Sequence, residues 1–80
     1  MTENKKQYPH YFRDVSKYSH IDIYRVLDLW QVTSPPLQHA VKKLLCAGKR
    51  GYKDYTKDLE ETVVAVQRAI EMVEEDGMHY

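Results

Sequence analysis

Lys42, Lys43, Lys49, Arg50, Lys53 and Lys57 fall within sixteen residues that hold one acid, Asp54. The whole chain balances 12 basic against 12 acidic residues, so this stretch is a local positive site on a neutral protein. Cations at this density hydrogen-bond and neutralise a compact anion such as phosphate, and Gly48 and Gly51 around Lys49-Arg50 let the backbone approach it. A long polyanion would call for a basic excess over the whole domain, and the acids downstream of Asp58 would repel a phosphate backbone. Nucleic acid is therefore not the expected partner. His39 stands one helical turn before Lys42 and Lys43, which places all three in one sector.

The loop is not a P-loop, because Lys43 occupies the place of that motif's first glycine and Arg50 the place of its Ser or Thr. A structural reading competes with the functional one. Gly48 can end a helix whose negative pole the neighbouring cations complement, at about 0.3–1 kcal/mol each, and Asp54 or Asp58 can supply the anion from within. Six cations exceed what one helix end requires.

Tyr8-Pro9-His10-Tyr11-Phe12 is the second chemistry-bearing stretch. Tyr11 or Phe12 could stack on a base, a contact contributing roughly 1–3 kcal/mol; the alternative is an aromatic lid packed down over the helices. His10, His20 and His39 have no spacing that marks a metal site or catalytic pair. Asp22, Asp28 and Asp58 could hold Mg²⁺ beside phosphates, yet Asp22 and Asp58 also read as charges at helix N-termini.

The elements that must position these residues form an all-α, small three-helix domain covering 1–80. Residues 1–7 are polar and frayed, 8–18 form the aromatic arm, and the first helix spans 20–31 with Ser19 and Asp22 at its start. Its apolar residues cover more than one stripe, as in a central helix or one at a subunit contact. Ser34 caps the second helix, 35–47, with Pro35 at its first position. The basic loop is 48–53, and Gly48 takes the left-handed position after the helix.

The third helix, 55–75, stops before Gly77. Its residues Leu59, Val63, Val66, Ile70 and Val73 form the stripe expected to face a bundle neighbour. Beside it Thr62, Ala65, Ala69 and Met72 form a small-residue stripe, open to a helix from a second subunit. Eighty residues bury little apolar surface, so a helical-bundle homo-oligomer is expected. The single cysteine, Cys46, allows no internal disulfide and fits a reduced compartment. No secretory or membrane-spanning segment is visible, and the expected location is cytoplasmic, with no membrane partner.

Pro9-His10-Tyr11, His20-Ile21-Asp22, Val41-Lys42-Lys43, Ala47-Gly48-Lys49-Arg50, Lys57-Asp58-Leu59 and Arg68-Ala69-Ile70-Glu71, taken as a set, resemble a family of small phage proteins related to the small nucleotide kinase of T-odd coliphages. That resemblance implies a phage-encoded helical protein in the host cytoplasm that handles nucleotides, with phosphate contacts at His10, Tyr11, Lys43, Lys49 and Arg50. The chain departs from the family pattern at Val63-Val64-Ala65-Val66, where aromatics are usual, and at Cys46, where arginine is frequent.

The expected function is binding or sequestration of a phosphate-bearing nucleotide or nucleotide-derived signal, a counter-defence role. The expected ligand set is His10, Tyr11, His39, Lys43, Lys49, Arg50 and Lys53, with Tyr11 and Phe12 stacking on the base, and no cofactor is required. One alternative is a small (deoxy)nucleotide kinase, which would need Mg²⁺. Another is an interaction module that inhibits a host protein.

Overall fold

The protein is described by a computed structural model covering residues 8–49 and 52–77, with backbone alone at 52 and 53. The described residues form three α-helices and no strand. The chain divides into two compact units, Met1–Gln31 and Val32–Tyr80, and each is treated by itself.

In the first unit, Pro9–Tyr11 makes one turn of 3₁₀-helix with the proline at its start, where the missing N–H costs nothing. Helix α1 is Ile23–Leu29, shorter than the expected 20–31. Asp22 rather than Ser19 is its cap. Asp22 has extended backbone and its carboxylate accepts the Arg25 N–H at 2.9 Å, which satisfies one orphan donor of the first turn. The Ser19 hydroxyl instead pairs with His20 Nδ1 at 3.1 Å.

Arg13 binds the unit together. Its Nε donates to the Leu29 carbonyl at 2.7 Å, at the negative end of α1, and its Nη1 donates to the carbonyls of Phe12 and His10 at 2.7 and 3.1 Å. The guanidinium also lies 4.9 Å from the Trp30 ring centroid. Gln31 ends the unit in left-handed backbone, φ 54°. Only Leu27 of α1 is buried, while Tyr24, Ile21 and Trp30 are exposed.

The second unit is a helical hairpin of α2, Pro35–Leu45, and α3, Tyr52–Glu75. Ser34 does stand at the N-cap of α2, but its hydroxyl makes no capping bond. A capping hydroxyl accepts from the second or third helical N–H, and Pro36 at the second position has none, which leaves Leu37 as the one possible donor. The Gln38 amide fastens the helix entry instead, donating to the Val32 carbonyl at 2.8 Å.

Helix α2 stops at Leu45, two residues before the expected end, and Cys46 to Lys49 form a turn closed by the Lys49 N–H on the Cys46 carbonyl at 3.1 Å. Gly48 has the expected left-handed backbone, φ 76°. Helix α3 begins at Tyr52, earlier than the expected residue 55, with Asp54 in its first turn, where a carboxylate favours the helix. The basic loop shortens accordingly, and Arg50 and Gly51 lie outside the described residues. The far end of α3 behaves as expected, with Gly77 left-handed at φ 70° and its N–H on the Glu74 carbonyl.

The two helices run antiparallel, since Lys43 meets Asp58 and Glu61 while Pro36 and His39 share a groove with Ala65 and Arg68. Their packing inverts the expected roles of the two stripes on α3. Asp58, Thr62 and Ala65 are buried, as is Ala40 on α2, whereas Val63, Val66 and Ile70 are exposed. The small residues admit α2 of the same chain, and the large apolar stripe lies beside that contact, with Leu59 and Val73 half-buried.

Candidate anion-binding groove

The groove is built on the positively charged end of the hairpin. Residues spaced three and four apart, His39, Lys42 and Lys43 of α2 and Cys46 at its C-cap, line it together with Lys49 from the turn and Asp58 from α3, around a volume of about 370 Å³. A second hollow of about 490 Å³ continues along the helix seam, sharing His39 and Lys43 and adding Pro36, Glu61, Val64, Ala65 and Arg68. One face of α2 thus meets both hollows, as the helical period of 3.6 residues requires.

Asp58 organises the cationic end. Its side chain is 5% exposed, with one oxygen 3.3 Å from Lys43 Nζ and the other accepting the Gly48 N–H at 3.4 Å. A buried carboxylate needs such partners, because an uncompensated charge away from water is strongly destabilising. Asp58 also turns the chain at Gly48, and so sets where Lys49 departs. The Thr62 hydroxyl donates to the Asp58 backbone carbonyl at 2.8 Å, which satisfies that buried side chain.

Lys43 is held on two sides, since its ammonium also lies 2.8 Å from Glu61 Oε1. The hydrogen bond that Lys43 donates to Glu61 holds the ammonium above its ordinary pKa against the opposing effect of burial, and the same bond holds Glu61 below the usual carboxylate range. The ammonium stays charged, but two of its three donors are committed within the chain. The pairing of Lys43 with Asp58 matches the competing reading of the sequence, in which an acid of the chain supplies the anion.

Of the expected ligand residues, His39, Lys43 and Lys49 are brought to this one groove, and Lys42, named in the sequence only as a neighbour, joins them. Arg50 and the Lys53 side chain lie outside the described residues. His10, Tyr11 and Phe12 belong to the first unit, where the Tyr11 ring stacks on Tyr8 at 5.2 Å and meets His10 edge-on at 4.4 Å. Glu61 was missed in the sequence. Its signal was the pair Asp58 and Glu61, one turn apart on α3, which presents two carboxylates to a single lysine across the seam.

Among the described residues no group of three His, Cys, Asp or Glu side chains is arranged to hold a metal ion, and no helix is long and apolar enough to cross a membrane. Comparison with protein families, characterised proteins and solved structures found no match to this chain.

Proposed function

We propose that the groove between α2 and α3 binds and sequesters a compact phosphate-bearing ligand of the nucleotide class. The observation that carries this reading is the convergence of His39, Lys42, Lys43 and Lys49 on one hollow, with Asp58 fixing the turn from which Lys49 projects. In this reading Lys43 is the framework cation, already shared by Asp58 and Glu61, while Lys49 is exposed and reaches the phosphate together with Arg50. The resemblance to small phage proteins that handle nucleotides supports the same proposal, with the captured ligand a nucleotide-derived signal.

The test is calorimetry with a panel of mononucleotides, dinucleotides and cyclic nucleotides against the parent, Lys49→Ala and Arg50→Ala. A hydrogen bond to a charged group contributes roughly 1.5–3 kcal/mol, so each substitution should weaken binding about tenfold or more. No heat from any ligand, or equal affinity for all three proteins, would retire the proposal. Recovery of the intact nucleotide after denaturation separates sequestration from phosphoryl transfer, which would return a converted one.

A further inference from the structure

The groove changes character along the seam. Its cationic end is lined by Lys42, Lys43 and Lys49 with one acid, Asp58. The second hollow continues from it, since His39 and Lys43 belong to both. Beyond those two residues the walls are Pro36 on α2 and Val64 and Ala65 on α3, with Glu61 and Arg68 as the polar groups. Arg68 is turned to its own helix, where it donates to Glu75 at 2.8 and 3.3 Å and to Glu71 at 3.3 Å, so its charge is already matched. Glu61 gives Oε1 to Lys43, and its other oxygen keeps acceptor capacity, because an ionised carboxylate accepts and never donates. A second anion is therefore disfavoured in this hollow. So is a bare alkyl chain, which would strip water from the carboxylate without replacing its hydrogen bonds.

We propose that this second hollow seats the base of the ligand whose phosphate lies at the cationic end, and that Glu61 selects a base bearing an amino group. The proposal rests on reading the cationic end as a phosphate site. Pro36 and Cys46 at the two ends of α2, like Asp58 and Arg68 on α3, stand ten residues apart, so the two hollows together extend about 15 Å along the helices. A ligand that spans this length must be anionic at one end. At the other it must be neutral, largely apolar and furnished with an N–H donor.

A nucleotide with an amino-bearing base has its groups in that order. The faces of the base meet Pro36, Val64 and Ala65, and His39 brings an imidazole to the junction, a ring of the kind on which bases stack. The amino group of adenine, cytosine or guanine donates to Glu61. Uracil and thymine instead set carbonyl oxygens on either side of their one N–H, and a carboxylate repels them. At about 490 Å³ the hollow falls within the roughly 300–1,000 Å³ of small-molecule sites. The hairpin then contacts both ends of the ligand, whereas the sequence placed the base on Tyr11 and Phe12.

Calorimetry and NMR on the full chain test the proposal, with cytidine monophosphate (CMP), uridine monophosphate (UMP) and inorganic phosphate as probes. The parent should bind CMP about tenfold or more tighter than either UMP or inorganic phosphate. Glu61→Gln, whose amide both donates and accepts, should bind CMP and UMP alike, a ratio that a general change in phosphate affinity leaves untouched. Intermolecular NOEs from cytosine H5 and H6 should reach the methyls of Val64 and Ala65. They should spare Val63, which is as exposed as Val64, 68% against 69%, but does not line the hollow. Binding of inorganic phosphate with no gain for CMP, a CMP preference that survives Glu61→Gln, or base contacts confined to Tyr11 and Phe12 would overturn the proposal and leave the phosphate site standing. Failure of all three probes to bind would overturn the phosphate site and this inference with it.

Discussion

Lys43 and Glu61 meet across the hairpin seam at 2.8 Å, and the same ammonium reaches Asp58 at 3.3 Å. One lysine thereby serves two carboxylates of different burial, and the two should respond differently to substitution. Asp58→Ala removes the acceptor of both Lys43 and the Gly48 N–H, and should lower stability by about 1–3 kcal/mol. Glu61→Gln leaves Lys43 its buried partner and should cost less, since the Glu61 side chain is 38% exposed and partly screened by solvent. Urea unfolding of the three proteins ranks them; equal midpoints for Asp58→Ala and the parent would show that the buried carboxylate does not anchor the turn.

The same pair sets a pH response at both ends of the scale. The Lys43 hydrogen bond lowers the folded pKa of Glu61 from the ordinary 4.5, so the stability it contributes is present above 4.5 and lost as pH falls through the lowered folded value. Lys43 is raised above 10.5, chiefly by its hydrogen bond with Glu61, so its contribution is full below 10.5 and lost as pH climbs through the raised value. Arg68 lowers Glu75 in the same manner, adding to the acid limb. Denaturation midpoints against pH should fall off in acid for the parent and do so less for Glu61→Gln; superimposable acid limbs would count against the pairing.

Gly48 is restricted twice over. Its φ of 76° disfavours any side chain, and a Cβ there would stand 2.8 Å from Tyr55 Cδ1 and 3.2 Å from Tyr55 Cβ. Gly48→Ala should destabilise by about 1 kcal/mol or more, and less in a Tyr55→Ala background, where the 2.8 Å ring contact is removed but the 3.2 Å contact with Cβ and the backbone strain remain. Thermal melts of the four proteins in this cycle measure the ring's share of the cost.

Gln31 holds left-handed backbone without being glycine, at φ 54°. The left-handed region costs an ordinary residue roughly 1–2 kcal/mol, and the extra freedom of unfolded glycine offsets about half of that. Gln31→Gly should therefore raise stability by about 0.5–1 kcal/mol. An unchanged or lower melting temperature would mean that the Gln31 side chain contributes more than its strain removes.

The helical hairpin was legible because its punctuation is chemical. Within a helix Pro35-Pro36 fits only the first turn, and Gly48 and Gly77 suit the left-handed turns that follow one. The start of α1 was less legible, since Ser19 and Asp22 are both competent caps and nothing local decides between them. Hydropathy misdirected the reading of α3. The Leu59-to-Val73 stripe is the more apolar face, but the in-chain neighbour packs on the small residues, where Thr62 and Ala65 let two backbones approach. The groove was half legible. Helical spacing gathers His39, Lys42 and Lys43, but the pairing of Lys43 depends on the register of α3 against α2, which no spacing within either helix encodes.

Trp30 is the chain's only tryptophan, and its indole N–H donates to the His10 carbonyl at 3.0 Å while Arg13 lies over its ring. The protein thus has two optical channels weighted to different units. Indole emission follows the first unit alone, through a bond that ties the Pro9–Tyr11 turn to the end of α1. Circular dichroism follows chiefly the second unit, whose helices supply 11 and 24 residues against 7 in α1. A single unlabelled sample can therefore report whether the aromatic unit and the hairpin lose structure at one temperature or at two.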